Sequence, residues 1–180
     1  AWTLSFMPAE ATLNALGATQ QLTPTLRDSD GVSFPLGNRE WSSDDEAVAT
    51  VDAAGLVTAV GNGSATITLF VNLSSAFGSF VSATAAITVE QTAATITLTV
   101  GAIEIDVAET VQLGASVEDA NGHPLATPTL GWTSSDDLVA RVDGSGVVTG
   151  AGPGTATITV ASESLTAATS VTVLPPSSGT

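Results

Sequence analysis

The residue types that most enzymes use for catalysis are scarce in this chain. Its 180 residues include one histidine, His123, and no cysteine. Nucleophilic triads need a base such as histidine, and transition-metal sites need histidine or thiolate ligands. His123 stands in the turn sequence Asn-Gly-His-Pro, where a solvated side chain is expected. The sequence therefore predicts a protein that is not an enzyme.

Carboxylates are the one abundant chemical group. Asp28 and Asp30 lie in the sequence DSDG, which resembles the start of a calcium loop but lacks a third aspartate and the closing glutamate. Two further acidic runs, 44–46 and 136–137, each follow a tryptophan by a few residues. Aspartate also fixes turns by accepting backbone N–H groups. We interpret these runs as turns and predict no cofactor, with calcium at Asp28 and Asp30 as the remaining metal hypothesis.

The charge balance restricts the partners. Eighteen acidic residues oppose three arginines, which gives a formal charge of −15. Such a chain repels nucleic acid and anionic membrane surfaces. No run of about eighteen apolar residues is present, so no membrane insertion is predicted. This profile is typical of a secreted, cell-surface or virion protein.

An internal repeat organises the chain. The segment that begins with WSSDDEAVATVD at Trp41 returns as WTSSDDLVARVD at Trp132, an offset of 91 residues. Tryptophan, aspartate, glycine and valine keep their positions, while the residues between them vary. The register slips only at the first strand, where Leu4 and Phe6 match Ile96 and Leu98 best. Two copies of one domain are predicted.

Both copies alternate apolar or β-branched residues with Thr and Ser, as in ATITVAS and TITLTV. This period of two predicts strands, and Asp- and Gly-containing turns separate them. We expect one domain at 1–90 with an extended late hairpin, a second at 91–174, and a Pro/Ser/Gly linker or tail at 175–180. The short connection EQTAAT near residue 90 predicts that the domains stack end to end.

The pattern W-x-S-x-D-x-x-V-A-x-V-D-x-x-G-x-V-T, followed by G-x-A-T-I-T, occupies 41–68. It resembles the bacterial immunoglobulin-like domain, group 2, of intimin- and invasin-like adhesins, other surface proteins and phage structural proteins. The resemblance implies an all-β fold of two tandem immunoglobulin-like antiparallel β-sandwiches. It implies a building block rather than a particular activity.

One segment breaks the symmetry of the repeat. From Ile67 to Val89 the first copy takes 22 steps, whereas the second takes 15 from Ile158 to Val173. The longer hairpin carries Phe70, Phe77 and Phe80, and Trp2 lies in the first strand. These aromatic residues either cover the edge of the core or a domain junction, or they form an exposed contact surface. They are the predicted interaction residues.

The sequence thus predicts an extracellular structural module that acts as a rigid spacer or as an assembly subunit of a surface adhesin, filament or phage appendage. Its partners would be copies of itself, through an exposed edge strand, or neighbouring domains of a larger chain. The alternative is an adhesion module that binds a glycan or a host surface protein through the phenylalanine-rich hairpin.

Overall fold

β-Strands joined by tight turns make up the regular structure of both copies of the repeat. The computed structural model describes residues 1–73 and 80–176, and it divides the chain into two units between Thr92 and Ala93. Phe77 and the last four residues of the predicted tail lie outside the described residues. Among the described residues, no helix is long and apolar enough to cross a membrane.

The described residues of the first unit form ten strands. They are β1 (Thr3–Met7), β2 (Glu10–Leu13), β3 (Thr19–Gln21), β4 (Thr23–Arg27), β5 (Ser33–Phe34), β6 (Arg39–Ser43), β7 (Ala49–Val51), β8 (Leu56–Ala59), β9 (Gly63–Asn72) and β10 (Phe80–Val89). One sheet has the order β2-β10-β9-β6. The sheets β1-β4-β5 and β3-β8-β7 are linked through β3 and β4, which are interrupted only at Leu22.

The second unit repeats this plan with nine strands up to residue 176, where the described part of the chain ends. They are β11 (Thr95–Leu98), β12 (Ile103–Asp106), β13 (Thr110–Gln112), β14 (Ala115–Glu118), β15 (Gly131–Ser134), β16 (Ala140–Val142), β17 (Val147–Gly150), β18 (Gly154–Ser162) and β19 (Leu165–Leu174). The four-stranded sheet is β12-β19-β18-β15, and β11-β14 and β13-β17-β16 complete the unit.

Each unit buries one side of its four-stranded sheet. In β9, Ile67, Leu69 and Val71 are completely buried, and the residues between them point outward. Leu22, Leu26 and Val57 from the linked sheets lie in the same core. The alternation of the sequence therefore produces two sandwiches, because only one face of each sheet is apolar. The predicted fold class is confirmed.

Among the described strands, each unit has one parallel pair, and the other pairs are antiparallel. β2 pairs in parallel with β10, from Glu10 opposite Ala86 to Leu13 opposite Val89. β12 pairs in parallel with β19 in the same way. An early strand of each unit is thus bonded directly to its last strand.

The strand pairing confirms the register slip inferred from the sequence. Leu4 pairs with Leu26, and Ile96 pairs with Val117, which is the repeat equivalent of Leu26. The slip arises before the third strand, because five residues separate Leu13 from Thr19, whereas four separate Ile105 from Thr110. Loops absorb such length changes without disturbing the core.

The late hairpin differs in length between the two units. β9 and β10 pair up to Asn72 opposite Phe80, with seven intervening residues. In the second unit Ser162 is opposite Leu165, with a two-residue turn that includes Glu163 at φ 53°. Five of the seven extra residues therefore lie in the connection, of which residues 74–79 are outside the described part of the chain, and the strand pairing is one residue longer on each strand.

The tryptophan and glycine of the repeat meet in space. Gly55 has φ +83°, and a Cβ built on it would lie 2.5 Å from Cζ2 of Trp41. Gly146 has φ +85° and would meet Cε2 of Trp132 at 2.9 Å. Glycine is required at both positions, because the backbone adopts positive φ there and no space is left for a side chain.

We expect Gly55→Ala to destabilise the first unit by about 2–4 kcal/mol, because the alanine is strained at positive φ and also clashes with the indole ring. Gly31→Ala is the matched control, since Gly31 has φ +80° and no atom lies within 4 Å of the position that a Cβ would take. The control should lose only about 1 kcal/mol. Calorimetric unfolding measures both, and equal losses would contradict the clash.

Candidate functional site

Aromatic side chains gather at one end of the first unit. Trp2 and Phe34 are each 40% exposed, Phe70 is 47% exposed and Phe80 is 69% exposed. This end, called here the aromatic end, lies opposite Val89, the last residue of β10. Large exposed rings grouped in this way are typical of contact surfaces.

Strand alternation positions the two phenylalanines. Ile67, Leu69 and Val71 of β9 point into the core, so Phe70 and Asn72 point outward. Phe80 is opposite Asn72 in the neighbouring strand, and Phe70 is opposite Ser82. Both rings therefore belong to the outer face of the four-stranded sheet.

A shallow pocket of about 260 Å³ lies between these rings. Glu40 of β6 is opposite Phe70 and shares its outward face, whereas Arg39 is opposite the buried Val71 on this edge strand. The backbone N–H of Asn72 donates to the carbonyl of Asn38 at 2.9 Å. The lining residues are Asn38, Arg39, Glu40, Phe70, Asn72 and Phe80.

The remaining two rings form a second contact beside this pocket. Trp2 and Phe34 meet edge to face, with ring centroids 4.9 Å apart and planes at 81°. An apolar pocket of about 240 Å³ there is lined by both rings, Leu26, Pro35, Gly37 and Leu73, and it shares Asn72 with the first pocket. Edge-to-face pairing is a favourable aromatic geometry.

The structure thus brings together three of the four predicted interaction residues, Trp2, Phe70 and Phe80, at the aromatic end. Their role as a binding site stays a prediction. Phe34 and the polar residues 38–40 were missed by the sequence analysis. Phe34 lies in a strand of two residues, too short to display a period of two.

The second unit lacks this surface although its fold is the same. Its strand register places Gly131 opposite Ala161, the positions equivalent to Glu40 and Phe70. When β10 and β19 are aligned by their pairing with β9 and β18, the equivalent of Phe80 is Ser164, which lies in the turn before β19. The aromatic end is therefore a property of the first unit alone.

The acidic residues mainly organise turns. Oδ1 of Asp28 accepts the backbone N–H groups of Asp30 and Val32, both at 2.9 Å. Asp45 and Asp136 each accept the N–H two residues later, at 3.0 and 2.9 Å. The interpretation of these runs as turns is confirmed. Among residues 1–73 and 80–176, no three His, Cys, Asp or Glu side chains are grouped to hold a metal, and calcium at Asp28 and Asp30 stays a prediction.

His123 lies in a turn of the same type. Its backbone N–H donates to Oδ1 of Asp119 at 3.0 Å, and Asp119 is buried. The imidazole Nδ1 is 3.6 Å from that oxygen, and the histidine side chain is about half exposed. The geometry matches the expected turn residue.

Hydrogen bonding lowers the pKa of two of these carboxyls. The hydroxyl of Ser145, 2.7 Å from Oδ1, and then the N–H of Val147 hold the pKa of Asp143 below its ordinary 3.8. The N–H of Thr66, which donates at 2.6 Å, is the main cause of the lowered pKa of Asp44. Bonds to the ionised form stabilise it.

The fold defines a class, a tandem immunoglobulin-like β-sandwich protein. Residues 3–77 match the bacterial Ig-like domain (group 2), and residues 127–164 match the intimin immunoglobulin-like domain. The chain consists of bacterial immunoglobulin-like domains. These families supply structural and adhesion domains of extracellular surface proteins.

Two curated proteins share part of the sequence. Ice-binding protein 1 of Shewanella frigidimarina is 36% identical over 149 residues, which cover 80% of this chain and 16% of that protein. The 3-O-alpha-D-galactosyl-alpha-L-arabinofuranosidase of Bifidobacterium longum is 47% identical over 62 residues, 34% of this chain and 5% of that protein. The chain thus spans a small part of each relative.

Solved structures with a similar arrangement of strands include surface-layer and cadherin domains. Domains 4 and 5 of the S-layer protein SbsC are 17% identical to this chain. The match covers 97% of this chain and 98% of that chain, with a TM-score of 0.48. Human protocadherin-24 EC1-2 is 14% identical over 96% of this chain and 97% of that chain, with a TM-score of 0.40.

We expect Ser145→Ala to raise the pKa of Asp143 toward 3.8, because the hydroxyl that donates to the carboxylate is removed. The equivalent residue of the first unit is Ala54, so the turn accepts this side chain. A carboxyl ¹³C NMR titration measures the change, and the pKa of Asp44 serves as the control. An unchanged Asp143 pKa would show that the backbone N–H groups alone set it.

The same shift has a consequence for stability. Because the pKa of Asp143 is lower in the folded than in the unfolded state, the ionised carboxylate stabilises the fold above about pH 4. This contribution is lost as the pH falls through the folded-state pKa. Ser145→Ala should therefore weaken the acid dependence of unfolding measured between about pH 2 and 5.

Proposed function

We propose that this chain is a non-enzymatic extracellular module that transmits force and sets distance within a surface protein. The observation that carries the proposal is the parallel pairing of an early strand with the last strand in both units. The finer assignment, a load-bearing spacer, follows from how such a pair responds to tension.

Parallel pairing loads the hydrogen bonds together. In the first unit, β2 lies near the residues at which the chain enters, and β10 ends at Val89, from which it leaves. Tension applied at the two sides of the unit slides β2 along β10, so the bonds of the ladder resist at the same time. Each contributes about 0.5–1.5 kcal/mol net, and their simultaneous rupture raises the barrier to unfolding.

The second unit has the same arrangement. Ile103 to Asp106 of β12 pair with Val171 to Leu174 of β19. Behind each pair lies a buried layer, which includes Ile87 and Val89 in the first unit and Val171 and Val173 in the second. Sliding the strands would expose these side chains, which adds a hydrophobic cost to the mechanical one.

The relatives support a carrier role. One is named for binding ice and the other for cleaving a glycoside, and the shared region covers 16% and 5% of their lengths. A domain common to two proteins with unrelated activities is expected to carry neither activity. A spacer that positions other domains outside the cell satisfies both cases.

Single-molecule stretching of the whole chain tests the proposal. We expect two unfolding events, one for each unit, each preceded by a force peak. Ala11→Pro should lower the peak of the first unit and leave the second unchanged, because proline cannot donate to the ladder. The carbonyls of Ala9 and Leu13 accept bonds from Ala86 and Glu90, which identifies Ala11 as a member of the bonded set.

Thr12→Pro is the matched control. The bonds of a parallel ladder use alternate residues, and β2 is an edge strand, so the N–H of Thr12 points away from β10. This variant should keep the force peak of the first unit. If both proline variants weaken the unit equally, or if neither does, the parallel pair is not the mechanical element and the proposal fails.

A further inference from the structure

We propose that the pocket between Phe70 and Phe80 binds one neutral pyranose residue of a glycan. This inference concerns a binding site and is independent of the load-bearing role of the strand ladders. It depends only on the described residues that line the pocket.

The two rings provide the apolar half of a sugar site. A pyranose has a face rich in C–H groups, and such a face packs against exposed aromatic rings. Phe70 and Phe80 are 47% and 69% exposed on the outer face of the sheet. Rings so placed contribute little to the core, and their apolar surface is free to be covered by a ligand.

The lining between the rings provides the polar half. Asn38 and Asn72 carry amides, Arg39 carries a guanidinium and Glu40 carries a carboxylate. These groups include both donors and acceptors, as the vicinal hydroxyls of a sugar require. An apolar site with a few convergent polar groups is the usual composition of a small-molecule pocket.

The size of the pocket favours a single ring. Its volume of about 260 Å³ lies below the range of roughly 300–1,000 Å³ that is common for drug-sized ligands. Because the pocket is open to solvent on the face of the sheet, the rest of a glycan chain can continue outside it.

Charge selects against other occupants. The chain has a formal charge of −15, which disfavours an anionic glycan and also a second copy of the same chain. Glu40, which shares the outward face with Phe70, adds a negative charge at the pocket itself. The affinity for a neutral sugar is not reduced by this repulsion.

The internal repeat indicates that the pocket is not required for folding. The second unit forms the same sheet with Gly131 and Ala161 at the positions of Glu40 and Phe70, and its hairpin turns at Glu163 and Ser164 before it reaches the strand position of Phe80. Two large apolar side chains on the exposed face are therefore not needed for a sheet of this type to form. Their presence in one copy is explained by a ligand.

Chemical-shift titration of the ¹⁵N-labelled full chain tests the site. The probes are methyl β-D-glucopyranoside, methyl β-D-galactopyranoside, cellobiose and lactose, each raised to about 50 mM because a one-sugar contact is expected in the millimolar range. Saturable shifts confined to the amides of 38–40, 70–72 and 80 are the expected result. Methyl β-D-glucuronide, which is anionic, should bind more weakly than the glucoside.

The variants transfer residues between the two units. Phe70→Ala with Phe80→Ser introduces the side chains of the second unit and should weaken binding at least about tenfold. Glu40→Ala, which leaves both rings, should weaken it severalfold and guards against misfolding of the double variant. Leu138→Ala, which exchanges another exposed apolar residue for its counterpart Ala47, should bind normally.

Four results would overturn the proposal. They are the absence of saturable shifts with every neutral probe, retention of binding by the double variant, tighter binding of the glucuronide, and shifts of the pocket amides on changing protein concentration without sugar. The last result would identify the aromatic end as a self-association surface. None of the four bears on the force peaks, so the spacer function is tested separately.

Discussion

The packing of an indole ring against a glycine turn is the constraint on which each sandwich depends. Trp41 lies in β6 of the four-stranded sheet, and Gly55 lies in the turn between β7 and β8 of the linked sheets. The ring therefore spans the two layers. Phe6 of β1 stacks on it with centroids 5.4 Å apart. Trp132 and Gly146 repeat the contact, which explains why the sequence keeps this pair through both copies.

The acidity of the protein follows partly from the same turns. Asp52 accepts hydrogen bonds from the N–H groups of Ala54 and Leu56. These bonds stabilise the turn that contains Gly55. Asp143 does the same before Gly146. An aspartate in such a turn stabilises the connection through its own hydrogen bonds and needs no cationic partner. Much of the negative charge is thus part of the folding pattern, and it also determines which partners the surface repels.

Comparison of the two units separates what the fold requires from what it permits. Tryptophan, the turn residues and the buried strand residues occur in both, whereas the exposed rings of the aromatic end occur only in the first. The longer connection between β9 and β10 is also confined to the first unit. The outer face of one sheet and its adjoining loops can therefore vary while the core stays constant, because loops and outward side chains carry little of the packing energy.

The strands, the repeat and the turn positions follow from the sequence, because period-two alternation and Asp-Gly turn chemistry are local signals. The register slip of the repeat at Leu4 also follows from the sequence, because the apolar residues of that strand must face the core. The parallel pairing of β2 with β10 required the tertiary structure, because its partners are about 75 residues apart and alternation is the same for either strand direction. Likewise, only folding brings Phe34 beside Trp2, and Asn38, Arg39 and Glu40 beside Phe70 and Phe80. A shared strand face can be read from one segment, but a pocket made by three segments depends on the register between them.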